Sequence, residues 1–183
     1  MTFEFNKENQ KKVEEIINKY PEGRQKSAVM PLLDLAQRQN DNYVSKEIIE
    51  HIAEKLDISP IRVYEVASFY TMYNLKPVGK YLLQICGTTP CMLRGANELI
   101  KLCQEKLGIG REETSEDNLF TLKEVECLGA CANAPMVQIN DDYFEDLTVE
   151  SFSQILDDLK AGVPVKIGSQ IGRKSSEPIA IEE

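Results

Sequence analysis

The chain has 183 residues, of which 42% are hydrophobic and 28% are charged. This is an ordinary composition for a globular protein of one domain, or of a small domain with an appendage. The formal net charge of −9 argues against binding to nucleic acid or to an anionic membrane surface, because both require a basic face. No apolar run approaches the ~20 residues that a membrane span needs, so no direct membrane insertion is expected. The N-terminal sequence MTFEFNKENQKK resembles neither a signal peptide nor a transit peptide, and a cytosolic protein is therefore expected.

Residues 1–76 contain no cysteine, and their hydrophobic spacing predicts helices. Asn6, Ser45 and Ser59 are expected to cap three of them, with Pro60 at the first helical position of the last. Pro31 predicts a kink or a later start in the remaining helix. The predicted helices cover about 6–19, 25–39, 45–56 and 60–69. This part of the chain is therefore predicted to be a helical domain.

The hydrophobic period changes after residue 76. Short apolar runs of strand character stand at KYLLQIC, FTLKEVEC and PMVQIND, and the last is predicted to form a hairpin with YFEDL. Helical spacing runs from Cys91 to Gly108 and again after Thr148, which can cap the last helix. The resulting order β-α-β-β-β-α over 80–161 fits a small α/β sandwich, so the fold class is α+β. Residues 164–183 show no periodicity and are expected to form an extended C-terminal tail.

Four of the five cysteines form two tight pairs. Cys86 and Cys91 lie in ICGTTPC, and Cys127 and Cys131 lie in CLGAC. Both pairs follow predicted strands, so the loops after those strands can bring them together at one sheet edge. Four thiolates are the ligand set of a [2Fe–2S] cluster, but they also suit a structural zinc site or a pair of disulfides used in thiol exchange. Spacing favours iron–sulfur and leaves the other two interpretations open.

Residues around the cysteines add to this interpretation. Gly87, Thr88 and Thr89 can form an open loop whose backbone N–H groups reach a cluster. Arg94 can either stabilise a reduced cluster or form a surface ion pair. Cys103 lies on the apolar face of a predicted helix and is expected to be a buried core thiol.

Other chemistry is excluded or unsupported. The single histidine, His51, is too few for a Rieske centre or a Cys2His2 zinc finger, and it is expected to be a surface or packing residue. Gly108–Ile109–Gly110 lacks the third glycine of a dinucleotide-binding loop, and no P-loop is present. No catalytic residue is therefore expected, and the chain is predicted to be a relay subunit whose catalytic partner is another polypeptide.

Several long strings carry a resemblance to a known family: RVYEVASFYTMYNLKPVGKY, QICGTTPCMLRGA, LFTLKEVECLGACANAPMVQIND and YFEDLT. Over roughly residues 6–163 the chain resembles the thioredoxin-like [2Fe–2S] subunit of respiratory NADH–quinone oxidoreductase (complex I). The resemblance implies a helical domain over 1–76, a thioredoxin-like [2Fe–2S] ferredoxin domain over 77–163 and the tail over 164–183. Asn118 stands where many relatives have glycine, and asparagine tolerates the same left-handed backbone.

The resemblance also implies a function. One [2Fe–2S] cluster would be held by Cys86, Cys91, Cys127 and Cys131, close to the FMN of a partner. FMN and NADH are expected on that partner flavoprotein only, with a second neighbouring iron–sulfur subunit in the same complex. The expected location is the peripheral arm at the cytoplasmic side of the bacterial inner membrane, or at the matrix side for a processed eukaryotic protein.

Two alternatives remain at this stage. Related subunits serve NAD-linked hydrogenases and formate dehydrogenases, with the same site and other partners. A zinc-stapled assembly adaptor is the non-redox alternative. In either electron-transfer case, the apolar stripes of residues 1–76 and the apolar residues of the tail suggest that both segments dock on the flavoprotein.

Overall fold

The computed structural model describes residues 2–174. The chain divides into two compact units, with the division between Val78 and Gly79; we call them the helical unit and the sheet unit. No helix within residues 2–174 is long and apolar enough to cross a membrane.

The helical unit contains the predicted helices, and their ends follow local capping chemistry. Its elements are α1 (Lys7–Asn18), a 3-10 turn (Gln25–Ala28), α2 (Val29–Gln39), α3 (Lys46–Lys55) and α4 (Pro60–Phe69). The Asn6 side chain accepts a hydrogen bond from the Asn9 N–H at 2.8 Å, and Ser45 caps α3 in the same way. Ser59 precedes Pro60 as expected, but its side chain makes no capping hydrogen bond. Pro31 lies in the first turn of α2, where its missing N–H is tolerated, which confirms the later start.

One core cluster holds the helical unit together. Each helix contributes its apolar face, and the fully buried side chains include Val13, Leu32, Leu33, Ile48, Ile52, Val63 and Ala67. The buried Gln37 amide ties the segment after α4 to this core, since it accepts from the Asn74 N–H at 2.7 Å and donates to the Met72 carbonyl at 3.1 Å. A buried amide bonded on both sides carries little desolvation penalty.

The sheet unit is a six-stranded mixed sheet with three helices. Its elements are β1 (Tyr81–Cys86), α5 (Thr89–Leu93), α6 (Ala96–Leu107), β2 (Glu113–Thr114), β3 (Phe120–Val125), β4 (Val137–Ile139), β5 (Asp142–Glu145), α7 (Val149–Ala161) and β6 (Gly168–Ser169). The strand order is β2-β3-β1-β4-β5-β6. The central strand β1 runs parallel to β3 and antiparallel to β4. Side chains of β1, β3, α6 and α7 share one buried core, among them Leu83, Leu99, Phe120, Leu122 and Phe152.

The helix predicted from Cys91 onward is two helices. Gly95 has φ +106°, a conformation that other residues rarely adopt, and it ends α5 and opens α6. The short helix α5 therefore carries Cys91 separately from the long helix α6, which carries Cys103.

The first part of the predicted tail belongs to the sheet. Gly168–Ser169 form β6, which pairs in parallel with β5, and Val165 packs against the core of the sheet unit. A two-residue strand has no periodicity to read, so the sequence pattern could not show it. The remainder of the predicted tail, 175–183, lies outside the described residues.

Candidate metal centre

Strand geometry brings the two cysteine pairs to one edge of the sheet. Cys86 is the last residue of β1 and is in register with Val125, the last residue of β3. Because the two strands are parallel, the loops that follow them leave the sheet at the same edge. One loop leads to Cys91 and the other carries Cys127 and Cys131, as the sequence predicted.

The first pair is buried. Cys86 and Cys91 are both inaccessible to solvent, the former at the end of β1 and the latter in α5. The Thr88 hydroxyl lies 3.3 Å from the Cys86 sulfur. On the outer side of α5, Met92 and Leu93 are exposed, so the wall beside this pair presents apolar side chains to solvent.

The second pair is exposed. The sulfur atoms of Cys127 and Cys131 lie 3.5 Å apart, and both residues are accessible to solvent. Gly129, at φ +85°, turns the backbone between them so that its N–H donates to the Cys127 sulfur at 3.4 Å. Left-handed backbone at this position favours glycine, which explains the CLGAC pattern.

The surroundings of the two pairs overlap. Burial acts to raise the pKa of Cys86, whereas Thr88 and then the backbone of Leu128, which belongs to the loop of the second pair, lower it. The Gly129 N–H, then Cys131 and then Thr88 lower the pKa of Cys127, so Thr88 acts on a thiol of each pair. The sequence indicated Thr88 only as a backbone donor; the role of its hydroxyl became visible only in the structure.

Each pair contains one thiol of lowered pKa and one of raised pKa. Burial alone would raise the pKa of Cys86, but hydrogen bonds from Thr88 and Leu128 bring it below its ordinary value. The Gly129 N–H, followed by the bonds from Cys131 and Thr88, lowers the pKa of Cys127. Burial together with neighbouring Cys86 raises the pKa of Cys91 to about 11, and the bond to Cys127 raises that of Cys131. A cation that binds here would displace the remaining protons, since thiolates are the ligating form.

The donor set fits a binuclear cluster. All five cysteines are free thiols, and four of them stand as two pairs at one edge of the sheet. A [2Fe–2S] cluster takes four cysteine ligands, two on each iron, and this donor set fits it.

Side chains of the hairpin β4–β5 brace the loop of the second pair. The Tyr143 hydroxyl donates to the Leu128 carbonyl at 2.8 Å, and the Asn133 amide donates to the Glu145 carboxylate at 2.8 Å. Neither bond has a signature in the sequence, because it joins residues that are distant along the chain.

Cys103 and Arg94 lie apart from the ligand set. Cys103 is fully buried in the core on α6, as predicted, and burial raises its pKa to about 12. Arg94 ends α5 and is exposed; its charge acts on the Asp146 carboxyl, whose pKa it helps to lower.

Comparisons with known proteins show the family of this chain. The profile of the thioredoxin-like [2Fe–2S] ferredoxin family matches residues 13–160. A subunit of the NADH-quinone oxidoreductase of Rickettsia conorii is 56% identical over 158 residues, covering 86% of this chain and 95% of that protein. The mitochondrial NADH dehydrogenase [ubiquinone] flavoprotein 2 of Dictyostelium discoideum is 54% identical over 175 residues, covering 96% of this chain and 71% of that one.

Among solved structures, an NAD⁺-reducing [NiFe]-hydrogenase in the air-oxidised state has a similar fold. The TM-score is 0.63 at 17% identity, over 72% of this chain. The match spans only 23% of that hydrogenase chain, so it shows the likeness of the fold alone.

Proposed function

Because the chain belongs to the thioredoxin-like [2Fe–2S] ferredoxin family, we propose that it carries one [2Fe–2S] cluster as the electron-transfer subunit of an NADH–quinone oxidoreductase. The observation that carries this proposal is the meeting of two thiol pairs at one sheet edge. Support for this complex comes from relatives that are named as its subunits. One of them is 56% identical to this chain over 95% of the relative's length.

The side chains around the candidate centre in the sheet unit have separate roles. Cys86 and Cys91 would hold the cluster from the buried side, and Cys127 and Cys131 would hold it at the surface. When bound, the cluster supplies reversible one-electron transfer. The Thr88 hydroxyl and the Gly129 N–H, which contact the Cys86 and Cys127 sulfur atoms, would stabilise negative charge on these ligands, which is how a protein tunes such a site. No residue of this chain is assigned a catalytic role.

The partners follow from the same proposal. NADH and FMN are held by a partner flavoprotein, and a further iron–sulfur subunit lies beside it in a peripheral arm at the cytoplasmic side of the bacterial inner membrane, or at the matrix side in a processed eukaryotic protein. Exposed Met92 and Leu93 lie next to Cys91, so the approach to the site is apolar enough for another protein to cover it.

Serine substitution of the four ligands tests the proposal. Changing Cys86, Cys91, Cys127 or Cys131 to serine, one at a time, should weaken or abolish the visible absorption of the purified chain and the EPR signal after reduction. The matched control is Cys103→Ser, which changes a thiol buried in the same unit and should leave both signals intact. Retention of the wild-type spectrum in any of the four variants, or its loss in the control alone, would contradict the assignment.

A further inference from the structure

An ion pair with a buried carboxylate joins the C-terminal segment to the end of β5. The Asp146 side chain is only 4% exposed and pairs with the Arg173 guanidinium. Its second oxygen accepts from the Ser169 hydroxyl at 2.6 Å. Burial acts to raise the pKa of Asp146, but the bonds from Arg173 and Ser169 outweigh it, so the pKa lies below its ordinary value. We call Asp146, Ser169 and Arg173 the C-terminal latch.

The latch reaches the loop of the second cysteine pair. The Arg173 guanidinium donates to the Ala132 carbonyl at 2.6 Å, and Ala132 directly follows Cys131. The Asp146 N–H donates to the Asn133 carbonyl at 2.8 Å. Two successive carbonyl groups of the loop are thus held by the two charged members of the latch.

Strand β6 sets the position of Arg173. Ser169 is in register with Glu145 at the end of β5, and its hydroxyl accepts from the Arg173 N–H at 2.9 Å. A guanidinium is planar and offers several donors in a fixed arrangement, so it can bond a carboxylate and a carbonyl at once. The Arg173 side chain can therefore bond the Asp146 carboxylate and the Ala132 carbonyl at the same time.

The second cysteine pair depends on contacts of this kind for its position more than the first pair does. Cys86 and Cys91 are held by β1, α5 and the surrounding core, whereas Cys127 and Cys131 lie exposed on a loop. Tyr143 fixes the Cys127 end of this loop through Leu128. At the other end Cys131 begins a 3-10 turn, Cys131–Asn133, which the Asn133–Glu145 bond and the latch both hold. Loss of the latch would leave more of this end to be ordered when the cluster binds, at the cost of backbone conformational entropy.

We propose that Asp146 and Arg173 are positioning residues that hold Cys131 in place for the cluster, so that the C-terminal segment forms part of the site. The inference rests on the ligand set assigned under the proposed function. It gives residues 168–173 a role within this chain, beside any role in docking.

The test uses the full-length chain with its cluster and compares three variants. Arg173→Met removes both bonds, Arg173→Lys keeps the charge but not the planar fork, and Lys106→Met is the control. Lys106 pairs with Asp157 at 2.6 Å in the same unit, so the control also loses one cation and one ion pair. The readouts are the rate at which an iron chelator bleaches the visible absorption and the visible circular dichroism of the cluster.

Arg173→Met should bleach roughly tenfold faster than wild type, a size typical of losing a group that orients a metal ligand, and its visible circular dichroism should change. Arg173→Lys should recover part of the difference, and Lys106→Met should match wild type. Wild-type bleaching and circular dichroism in Arg173→Met would overturn the proposal. Equal acceleration in Lys106→Met would overturn it too, because the effect would then be general destabilisation.

If Arg173→Met does not fold, as judged by far-ultraviolet circular dichroism, Asp146→Asn takes its place. That variant removes only the anion of the latch and should bleach faster than wild type; an unchanged rate would overturn the proposal. A wild-type chain that takes up no cluster, or a Cys131→Ser chain that keeps the wild-type spectrum, would instead contradict the proposed function, and the latch with it.

Discussion

At the scale of single residues, hydrogen-bond donors distinguish the buried thiol of Cys86 from that of Cys103. Cys86 and Cys103 are both fully buried. Donors from Thr88 and Leu128 bring the pKa of Cys86 below its ordinary value in spite of burial, whereas burial acts alone on Cys103 and raises its pKa to about 12. The thiolate is the form that ligates a metal, and a lowered pKa favours it. Cys91 would have to lose its proton on ligation, since burial and Cys86 raise its pKa to about 11. Position at the sheet edge, rather than pKa, therefore separates the four candidate ligands from Cys103.

His51 should make the stability of the helical unit depend on pH. Its ring packs against Phe3 and Phe5, with centroid separations of 5.6 and 5.5 Å, and its Nε2 atom is buried without a hydrogen-bond partner among residues 2–174. Burial, followed by the charge of Lys55, lowers the pKa of His51, against smaller opposite effects of Glu54 and Glu4.

The direction of this pH dependence follows from the different histidine pKa values of the folded and unfolded chain. The unfolded chain has the higher histidine pKa, about 6.5, so it binds the proton first as the pH falls. The free energy of unfolding should therefore decrease from about pH 7 down through the lower folded pKa, and then level off. Urea denaturation at several pH values, followed by far-ultraviolet circular dichroism, measures this. His51→Gln cannot titrate there and should lack this component; an identical pH profile in both proteins would rule out the role given to His51.

At the scale of elements, α7 offers the clearest capping test. The Thr148 hydroxyl accepts from the Ser151 N–H at 3.1 Å, and the Ser151 hydroxyl accepts from the Thr148 N–H at 2.9 Å. Thr148→Ala removes this reciprocal cap and should lower the free energy of unfolding of the sheet unit by about 1 kcal/mol. Chemical denaturation checks the value. Thr2→Ala, at an exposed position outside any helix, is the control and should change it little; an equal effect of the two substitutions would argue against the cap.

Elements with local chemistry could be predicted from the sequence. The caps at Asn6, Ser45 and Thr148 are confirmed, because each depends on a side chain within three residues of the N–H that it accepts from. The turn residues Asn118 and Asn140 adopt left-handed backbone, at φ +54° in both cases, as the turn before β3 and the hairpin β4–β5 require. The approach of the two cysteine pairs also followed, since it depends only on which strands precede them.

Elements set by distant contacts could not be predicted. Strands β2 and β6 have two residues each and exist because β3 and β5 offer them an edge to pair with. The break between α5 and α6 lies at a single glycine inside a continuous helical pattern, and glycine in such a pattern is compatible with helix as well as with a break. The latch is of the same kind, because 27 positions separate Asp146 from Arg173 and no local rule relates them.

At the scale of the whole molecule, the two units differ in what they expose. The sheet unit holds the candidate centre, and the helical unit holds none of the four cysteines. The helical unit instead exposes large apolar side chains along α4 and in the segment that follows it: Ile61, Tyr64, Phe69, Tyr70, Met72 and Leu75. Several large apolar side chains exposed within one short stretch of chain are typical of a protein interface. This supports the expectation that the helical unit docks on the flavoprotein.

The side chains of the C-terminal segment fall into two groups. Val165 and Ser169 pack within the sheet unit, whereas Val163, Ile167 and Ile171 are exposed. A docking role for this segment therefore depends on the second group of side chains only, and it can be tested separately from the helical unit.

Polar substitutions on each surface distinguish the two docking contributions. Phe69 is 76% and Ile171 68% exposed, so Phe69→Ser and Ile171→Ser should cost the isolated chain little stability and leave its visible spectrum intact. If the surface along α4 and the segment after it docks on the flavoprotein, Phe69→Ser should reduce co-purification of the flavin-containing subunit with a tagged full-length chain, because burial of an aromatic side chain at an interface contributes strongly to affinity. Val149→Ser, at a partly exposed position that begins α7, is the control and should co-purify as wild type does. Normal recovery of the flavin subunit with Phe69→Ser would exclude the helical surface as an anchor, and normal recovery with Ile171→Ser would exclude the C-terminal one.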